Sequence, residues 1–168
     1  MGCGKSSIGR KLSALLCCRF VDLDDAIEER AGRSIPEIFS TEGEAYFRKL
    51  EKEVLTDIIR LHSQPEYSEG IQLVLALGGG AVMTPECEKI VHEETSCIYL
   101  LASVDTLISH LEGQSSGRPL LQSVSSLREH ITVLMSKRAA TYERTAHKII
   151  DTNDKSIDDI ALYLYKTL

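Results

Sequence analysis

Met1-Gly2-Cys3-Gly4-Lys5-Ser6-Ser7 opens the chain, and the reading of this stretch decides the fold. Residues 2–6 match the end of the pattern G-x-x-x-x-G-K-[ST]. In that pattern successive backbone N–H groups at a helix N-terminus cradle phosphate oxygens. The lysine charge reaches the outer phosphates, and the serine hydroxyl takes Mg²⁺. The match is partial: with Gly4 as the second glycine, the first falls upstream of Met1. A glycine turn that merely precedes a helix would read the same way.

Working outward, residues 5–17 place Ile8, Leu12, Leu15 and Leu16 at helical spacing, which predicts an amphipathic helix behind the glycine turn. RFVDL at 19–23 is short and β-prone, and 24–31 reads as a helix stopped by Gly32. Ser34 before Ile35-Pro36-Glu37 gives an N-cap with proline near the first helical position. Residues 42–62 form a long helix with Ala45, Leu50, Val54, Ile58 and Leu61 as its predicted inner stripe. IQLVLAL at 71–77 is nearly all apolar, as a strand covered on both faces should be, and runs straight into Gly78-Gly79-Gly80. Thr84-Pro85 opens another helix, SCIYLL at 96–101 is the next buried strand, and 103–111 is helical. Residues 112–126, rich in Ser, Gly and Gln around Gly117-Arg118-Pro119, read as a mobile loop. A helix over 127–142, a strand over 148–151, a turn over 152–155 and a helix over 156–168 close the chain. Strands alternating with helices predict an α/β fold of three layers (α/β/α) around a central parallel sheet, in one domain over 1–168. One element is lacking. A phosphate loop joins a strand's C-terminal end to a helix, and no strand stands ahead of the first helix.

The composition agrees with a single folded domain. A chain of 168 residues is one domain's worth and buries roughly 70% of its unfolded surface. With 43% hydrophobic and 26% charged residues, disorder, collagen and coiled coil are excluded. The net charge of −6 argues against a phosphate-tracking nucleic-acid binder. No apolar run reaches the roughly 18 residues of a membrane span, and no secretory leader opens the sequence, so a cytoplasmic location is expected. Cys3, Cys17, Cys18, Cys87 and Cys97 are odd in number and form no C-x-x-C pair, which reads as small apolar fillers in a reducing compartment. His62, His92, His110, His130 and His147 lack metal-ligand spacing.

Several polar positions carry candidate chemistry. Asp22-Leu23-Asp24-Asp25 lies at a strand's C-terminal end, and alternation turns Asp22 and Asp24 to one side. One carboxylate could hold Mg²⁺ through water and the other accept a hydroxyl proton; equally, Asp24 or Asp25 could simply cap the next helix. Arg48 and Glu51 share a helix face, either as a solvated surface pair or as an arginine oriented by a carboxylate to grip an anion. Three consecutive glycines after a buried strand exceed what a turn needs, so Gly78, Gly79 and Gly80 suggest close approach of a ligand to backbone. Arg118 is either a solvated loop charge or a lid arginine that closes on a transferring phosphoryl group. Arg138, with Tyr142 four residues on, is either an exposed helix arginine or a second guanidinium for a carboxylate.

Taken in order, MGCGKS, DLDD, GEAYFRKLE, LGGGA, GRPLL and KRAATYE closely resemble shikimate kinase, of the nucleoside-monophosphate-kinase-like P-loop NTPase fold. The resemblance covers essentially the whole chain. The pairing of D-x-D with F-R-x-x-E, G-G-G and R-P-L-L is specific to that family among small kinases. The resemblance implies ATP-dependent phosphoryl transfer to the 3-hydroxyl of shikimate in aromatic amino acid biosynthesis, with ATP and Mg²⁺ as cofactors. Gly2, Cys3, Gly4, Lys5, Ser6 and Ser7 then form the nucleotide's phosphate loop. Lys5 contacts the transferring phosphates, and Ser6 ligates Mg²⁺ with Asp22 in its water shell. Asp24 hydrogen-bonds the substrate and orients or deprotonates the 3-hydroxyl. Arg48 and Arg138 bind its carboxylate, Glu51 steers Arg48, and Gly78, Gly79 and Gly80 offer bare backbone. Arg118 is the lid arginine, and Asn153 lies in a turn that resembles the family's adenine loop. The substrate-binding helices would span about 24–62 and the lid about 112–126. The resemblance also implies a monomer with no nucleic-acid or membrane partner.

The chain departs from the family in two places. Where some members stack a basic residue on adenine, this sequence reads His110-Leu111-Glu112. The family loop G-x-M-G-x-G-K also begins earlier, and Met1 falls on its internal methionine, so the first strand and first glycine are lacking. Losing a strand paired on both sides removes more than a stability margin of roughly 5–15 kcal/mol. The expectation is therefore that the working protein begins about ten residues before Met1, a strand's length plus the loop's opening. An intact native mass equal to that of the 168-residue chain would contradict it. Two other readings compete: a different small-molecule kinase, such as a gluconate kinase, and a non-catalytic kinase-like binding protein.

Overall fold

The computed structural model describes residues 3–63, 70–113 and 124–168. Gly4, with φ of 76° in the left-handed region that favours glycine, leads into helix α1 (Lys5–Leu16). There follow β1 (Arg19–Asp22), α2 (Leu23–Ala31), α3 (Ile35–Thr41), α4 (Gly43–His62) and β2 (Leu73–Ala76). A 3₁₀ turn over Ala81–Met83 precedes α5 (Pro85–Glu94), β3 (Ile98–Leu101) and α6 (Val104–Gly113). Helix α7 (Val124–Thr145), β4 (Lys148–Asp151) and α8 (Ile157–Thr167) complete the order.

β1 and β2 are parallel, in register from Arg19 opposite Leu73 to Asp22 opposite Ala76. β3 and β4 are parallel, from Ile98 opposite Lys148 to Leu101 opposite Asp151. The parallel α/β class is as expected. Among the described residues the strands form two separate pairs, because none lies between β2 and β3. No strand precedes α1 among those residues either.

Helices cover both faces. On one face Ile8 and Leu12 of α1 pack with Ile160 and Leu164 of α8 against Val74, Leu100 and Ile150. On the other, α2 to α5 enclose Leu23, Ile27, Ile38, Leu55 and Val91, each essentially removed from water. Burying side chains of this size contributes roughly 1.5–3 kcal/mol apiece. Helices α6 and α7 close on Leu107, Ile108 and Ile131.

One expectation needs correcting. The inner stripe of α4 is Phe47, Leu50, Glu51, Val54, Leu55 and Ile59, whereas Ala45 and Leu61 are exposed. The stripe follows the i, i+3, i+4 steps from Phe47, and a carboxylate lies within it because Arg48 pairs with it. Helix α6 runs to Gly113 and α7 begins at Val124, so residues 114–123 of the expected lid, including Arg118, lie outside the described residues.

Candidate functional site

The site gathers at the ends of β1 and β2, where the register brings Asp22 opposite Ala76. The chain leaves β2 through Leu77 into the glycine triplet and leaves β1 directly into α2. This shared end is where parallel α/β sheets bind ligands.

Helix α1 points its N-terminus into the site. Its N-cap is Gly4, with no side-chain cap and no acidic residue in the first turn. The first N–H groups are therefore left for an external acceptor, and the helix dipole favours an anion there. Ser6 Oγ donates to Asp22 Oδ2 at 2.6 Å, which ties the loop to the end of β1. Cys3 packs toward the Ala102–Leu107–Ile131 cluster, which ties the same loop to the end of β3. Gly2 lies outside the described residues.

The cap of α2 is Asp22, whose Oδ1 accepts the Asp24 backbone N–H at 3.1 Å. Asp24 is thus not needed as a cap. Its carboxyl is pushed above the ordinary value, first by burial and then by the Asp22 charge, while Lys5 works the other way.

The glycine triplet explains itself through its neighbours. A Cβ on Gly78 would lie 2.4 Å from Asp24 Oδ1, and one on Gly80 would lie 2.9 Å from Arg48 Nη1. The Gly79 carbonyl accepts from Arg138 Nη1 at 2.8 Å and from the Tyr142 hydroxyl. A larger residue at Gly78 or Gly80 would press on the side chain it meets, while Gly79 contributes its carbonyl. Arg48 Nη1 donates to Glu51 Oε2 at 2.7 Å and Nη2 to Glu44 Oε1 at 3.3 Å. Burial pulls against the Arg48 charge, but Glu51 and Glu44 outweigh it and hold the guanidinium ionised. Glu51 is 1% exposed, and desolvation raises its carboxyl despite the Arg48 partner. The surface-pair alternative for Arg48–Glu51 is excluded by that burial.

The structure thus brings together Lys5, Ser6, Asp22, Asp24, Arg48, Glu51, the triplet and Arg138. It does not bring in Asn153, which is spent on local structure. Its Oδ1 accepts from the Ser103 N–H and the Thr106 hydroxyl, both at 2.8 Å, and so fixes the turn after β4 to the start of α6. Among the cysteines, burial pushes the Cys87 and Cys97 thiols up to about 11, while Cys17 is exposed. Among the described residues no group of three or more His, Cys, Asp or Glu is placed to hold a metal ion, and no helix is long and apolar enough to cross a membrane.

Comparison with known proteins decides the family. The shikimate kinase family model matches residues 1–168. The chain belongs to the shikimate kinase family. It is 36% identical to a shikimate kinase of Dictyoglomus turgidum over 170 residues, covering all of this chain and 92% of the relative. It is 39% identical to that of Thermus thermophilus over 160 residues, covering 95% and 81%. Among solved structures, a shikimate kinase from Acinetobacter baumannii in complex with shikimate superposes with a TM-score of 0.83 at 32% identity, over 99% of this chain and 87% of that one. A shikimate kinase from Bacteroides thetaiotaomicron gives 0.85 at 28% identity, over 99% and 93%. The protein is accordingly an enzyme of the P-loop kinase class.

Proposed function

We propose that this protein transfers the terminal phosphoryl group of ATP to the 3-hydroxyl of shikimate, giving shikimate 3-phosphate and ADP. The reading adds that it works as a cytoplasmic monomer, one kinase domain over 1–168 with α2 to α4 forming the substrate side. The observation that carries it is the apposition of the glycine triplet to Asp24, Arg48 and Arg138. That arrangement leaves bare backbone between one carboxylate and two guanidiniums. Shikimate is a small polyol with one carboxylate, so it offers a counterpart for each.

The residues present fit the nucleotide and the metal. The uncapped α1 N-terminus with Gly4 and Lys5 suits phosphate oxygens. The Ser6 hydroxyl and Asp22 carboxylate, 2.6 Å apart, are the hard oxygen donors that suit Mg²⁺. When bound, Mg²⁺ neutralises charge on the phosphate oxygens during transfer.

The chain's own residues do the rest. Arg48, held by Glu51, and Arg138, held by Gly79, grip the substrate carboxylate and so orient the ring. Asp24 accepts the 3-hydroxyl proton as that oxygen bonds to the terminal phosphorus and the bond to the leaving ADP oxygen breaks. Its raised pKa makes it a stronger base than an exposed aspartate. Lys5 and the α1 N–H groups hold the phosphates in line. Phosphorus NMR of the product tests the reading. A single ester coupled to the C3 proton is expected, and phosphate on another carbon would refute this use of Asp24.

A further inference from the structure

Helices α5 and α7 share a set of polar contacts that the proposed transfer does not use. Glu88, in the first turn of α5, meets Arg144, in the last turn of α7. Arg144 Nε donates to Glu88 Oε1 at 2.5 Å and Nη2 donates to Oε2 at 3.0 Å, so the guanidinium fork engages both carboxylate oxygens. Those bonds hold the Glu88 carboxyl below its ordinary value. One turn further along α5, His92 Nδ1 donates to the Thr145 carbonyl at 3.1 Å, at the end of α7 where helical partners run out. Arg144 is largely exposed, and exposed pairs contribute little to stability. What a bidentate pair does fix is direction.

Both helices lead back to the glycine triplet. The Ala81 N–H donates to the Gly78 carbonyl at 3.1 Å and the Met83 N–H to the Gly80 carbonyl at 3.0 Å, and the turn they form runs into α5. Helix α7 returns through Arg138 and Tyr142, which both donate to the Gly79 carbonyl. The contacts therefore close a ring: triplet, turn, α5, Glu88–Arg144, α7, Arg138 and the triplet again. At 1.5 Å and roughly 100° per residue, Arg144 lies about 9 Å along α7 from Arg138 and about a third of a turn around it. One contact alone would let α7 roll about its axis, whereas two at different heights and on different sides hold it.

We propose that Glu88 and Arg144 are positioning residues for Arg138: their pair, with His92 beside it, sets the roll of α7 that aims the Arg138 guanidinium across the triplet. Breaking the pair frees α7 to roll and loosens the Arg138 grip on the acceptor. Lys5 and Asp24 sit on α1 and α2, outside the ring, so the transfer step itself is spared. The effect on the acceptor rests on the proposed shikimate grip, whereas the aim of Arg138 does not.

The test uses Glu88→Ala and Arg144→Met, each alone and in an Arg138→Lys background. Each alone should raise KM for shikimate by about 3–10-fold, with kcat and KM for ATP within about twofold of the parent. In the Arg138→Lys background each should add less than about twofold, because the pair acts through Arg138. Exchange of the Arg138 guanidinium N–H signals, read by NMR without substrate, should quicken by roughly tenfold in both variants. A lowered melting temperature with unchanged KM for shikimate would make the pair a brace for stability alone and overturn the proposal. An equal rise in KM with and without Arg138 would overturn it too. If the parent chain does not turn over shikimate, the functional reading fails by itself. Faster guanidinium exchange in the variants then still supports the aim of Arg138, and unchanged exchange overturns it.

Discussion

Asp24 stands under two opposing demands. Burial and the neighbouring Asp22 disfavour its charge, yet the proposed proton acceptance requires that charge. A carboxyl raised on folding contributes its stability when protonated, below the unfolded value, and loses that contribution as pH rises through the folded value. At neutral pH its ionisation therefore costs stability. Asp24→Asn should cut turnover by about 10²–10⁴-fold while raising the melting temperature by a few degrees. Thermal melts beside ADP-release rates check both, and wild-type turnover would remove Asp24 from the chemistry. For the same reason kcat should fall with acid at a pH above the ordinary aspartate value of about 3.9, read from a pH–rate profile. The triplet gives a sharper pair. Gly78→Ala presses on Asp24 and should lower kcat, whereas Gly80→Ala presses on Arg48 and should raise KM for shikimate, each by roughly tenfold or more. Steady-state kinetics with shikimate varied separates the two. The carboxylate pair and the arginines were legible from spacing as candidates only, and their roles came from the family resemblance. The cap of α2 was not legible: Asp24 or Asp25 was expected there, but the helix begins at Leu23, one residue earlier than expected, and Asp22 caps it. Only the observed Asp22–Asp24 bond settles it.

Among the elements, α1 and β1 meet at a close approach the sequence did not announce. A Cβ on Gly9 would lie 2.6 Å from the Phe20 ring, itself under the Arg10 guanidinium. Gly9→Ala should therefore destabilise the fold by about 1–3 kcal/mol despite alanine's better helix propensity, which a thermal melt would show. Helix α7 offers a second case. Its Tyr142 hydroxyl and Arg138 share the Gly79 carbonyl one turn apart. Tyr142→Phe should raise KM for shikimate by about 3–10-fold and leave kcat nearly unchanged, since one hydrogen bond worth roughly 0.5–1.5 kcal/mol is lost. A change confined to kcat would show that Tyr142 does more than position the loop. Periodicity located β4 to the residue and α1 nearly so, because both have clear apolar patterns between turn signals. It misplaced the stripe of α4 because Glu51 was counted as polar, and therefore outward, when its partner Arg48 lets it face inward.

At the scale of the whole molecule, one end of the β1–β2 pair collects the groups proposed to hold an acid substrate, and one loop collects those proposed to hold phosphate. The division of roles was readable as an order of motifs along the chain. Its spatial closeness was not, since residues far apart in sequence meet only through the parallel register. The parallel pairing was legible from the alternation of strands and helices, but the register and partner of each strand were not. The account's central claim is phosphoryl transfer to shikimate through Asp24, Arg48 and Arg138. Its most direct test is ADP release from Mg-ATP with shikimate or gluconate as acceptor. The account predicts saturable release with shikimate, none above background with gluconate, and loss of the shikimate signal in Asp24→Asn. Release with gluconate alone, or tight ATP binding with no acceptor-dependent release, would contradict it.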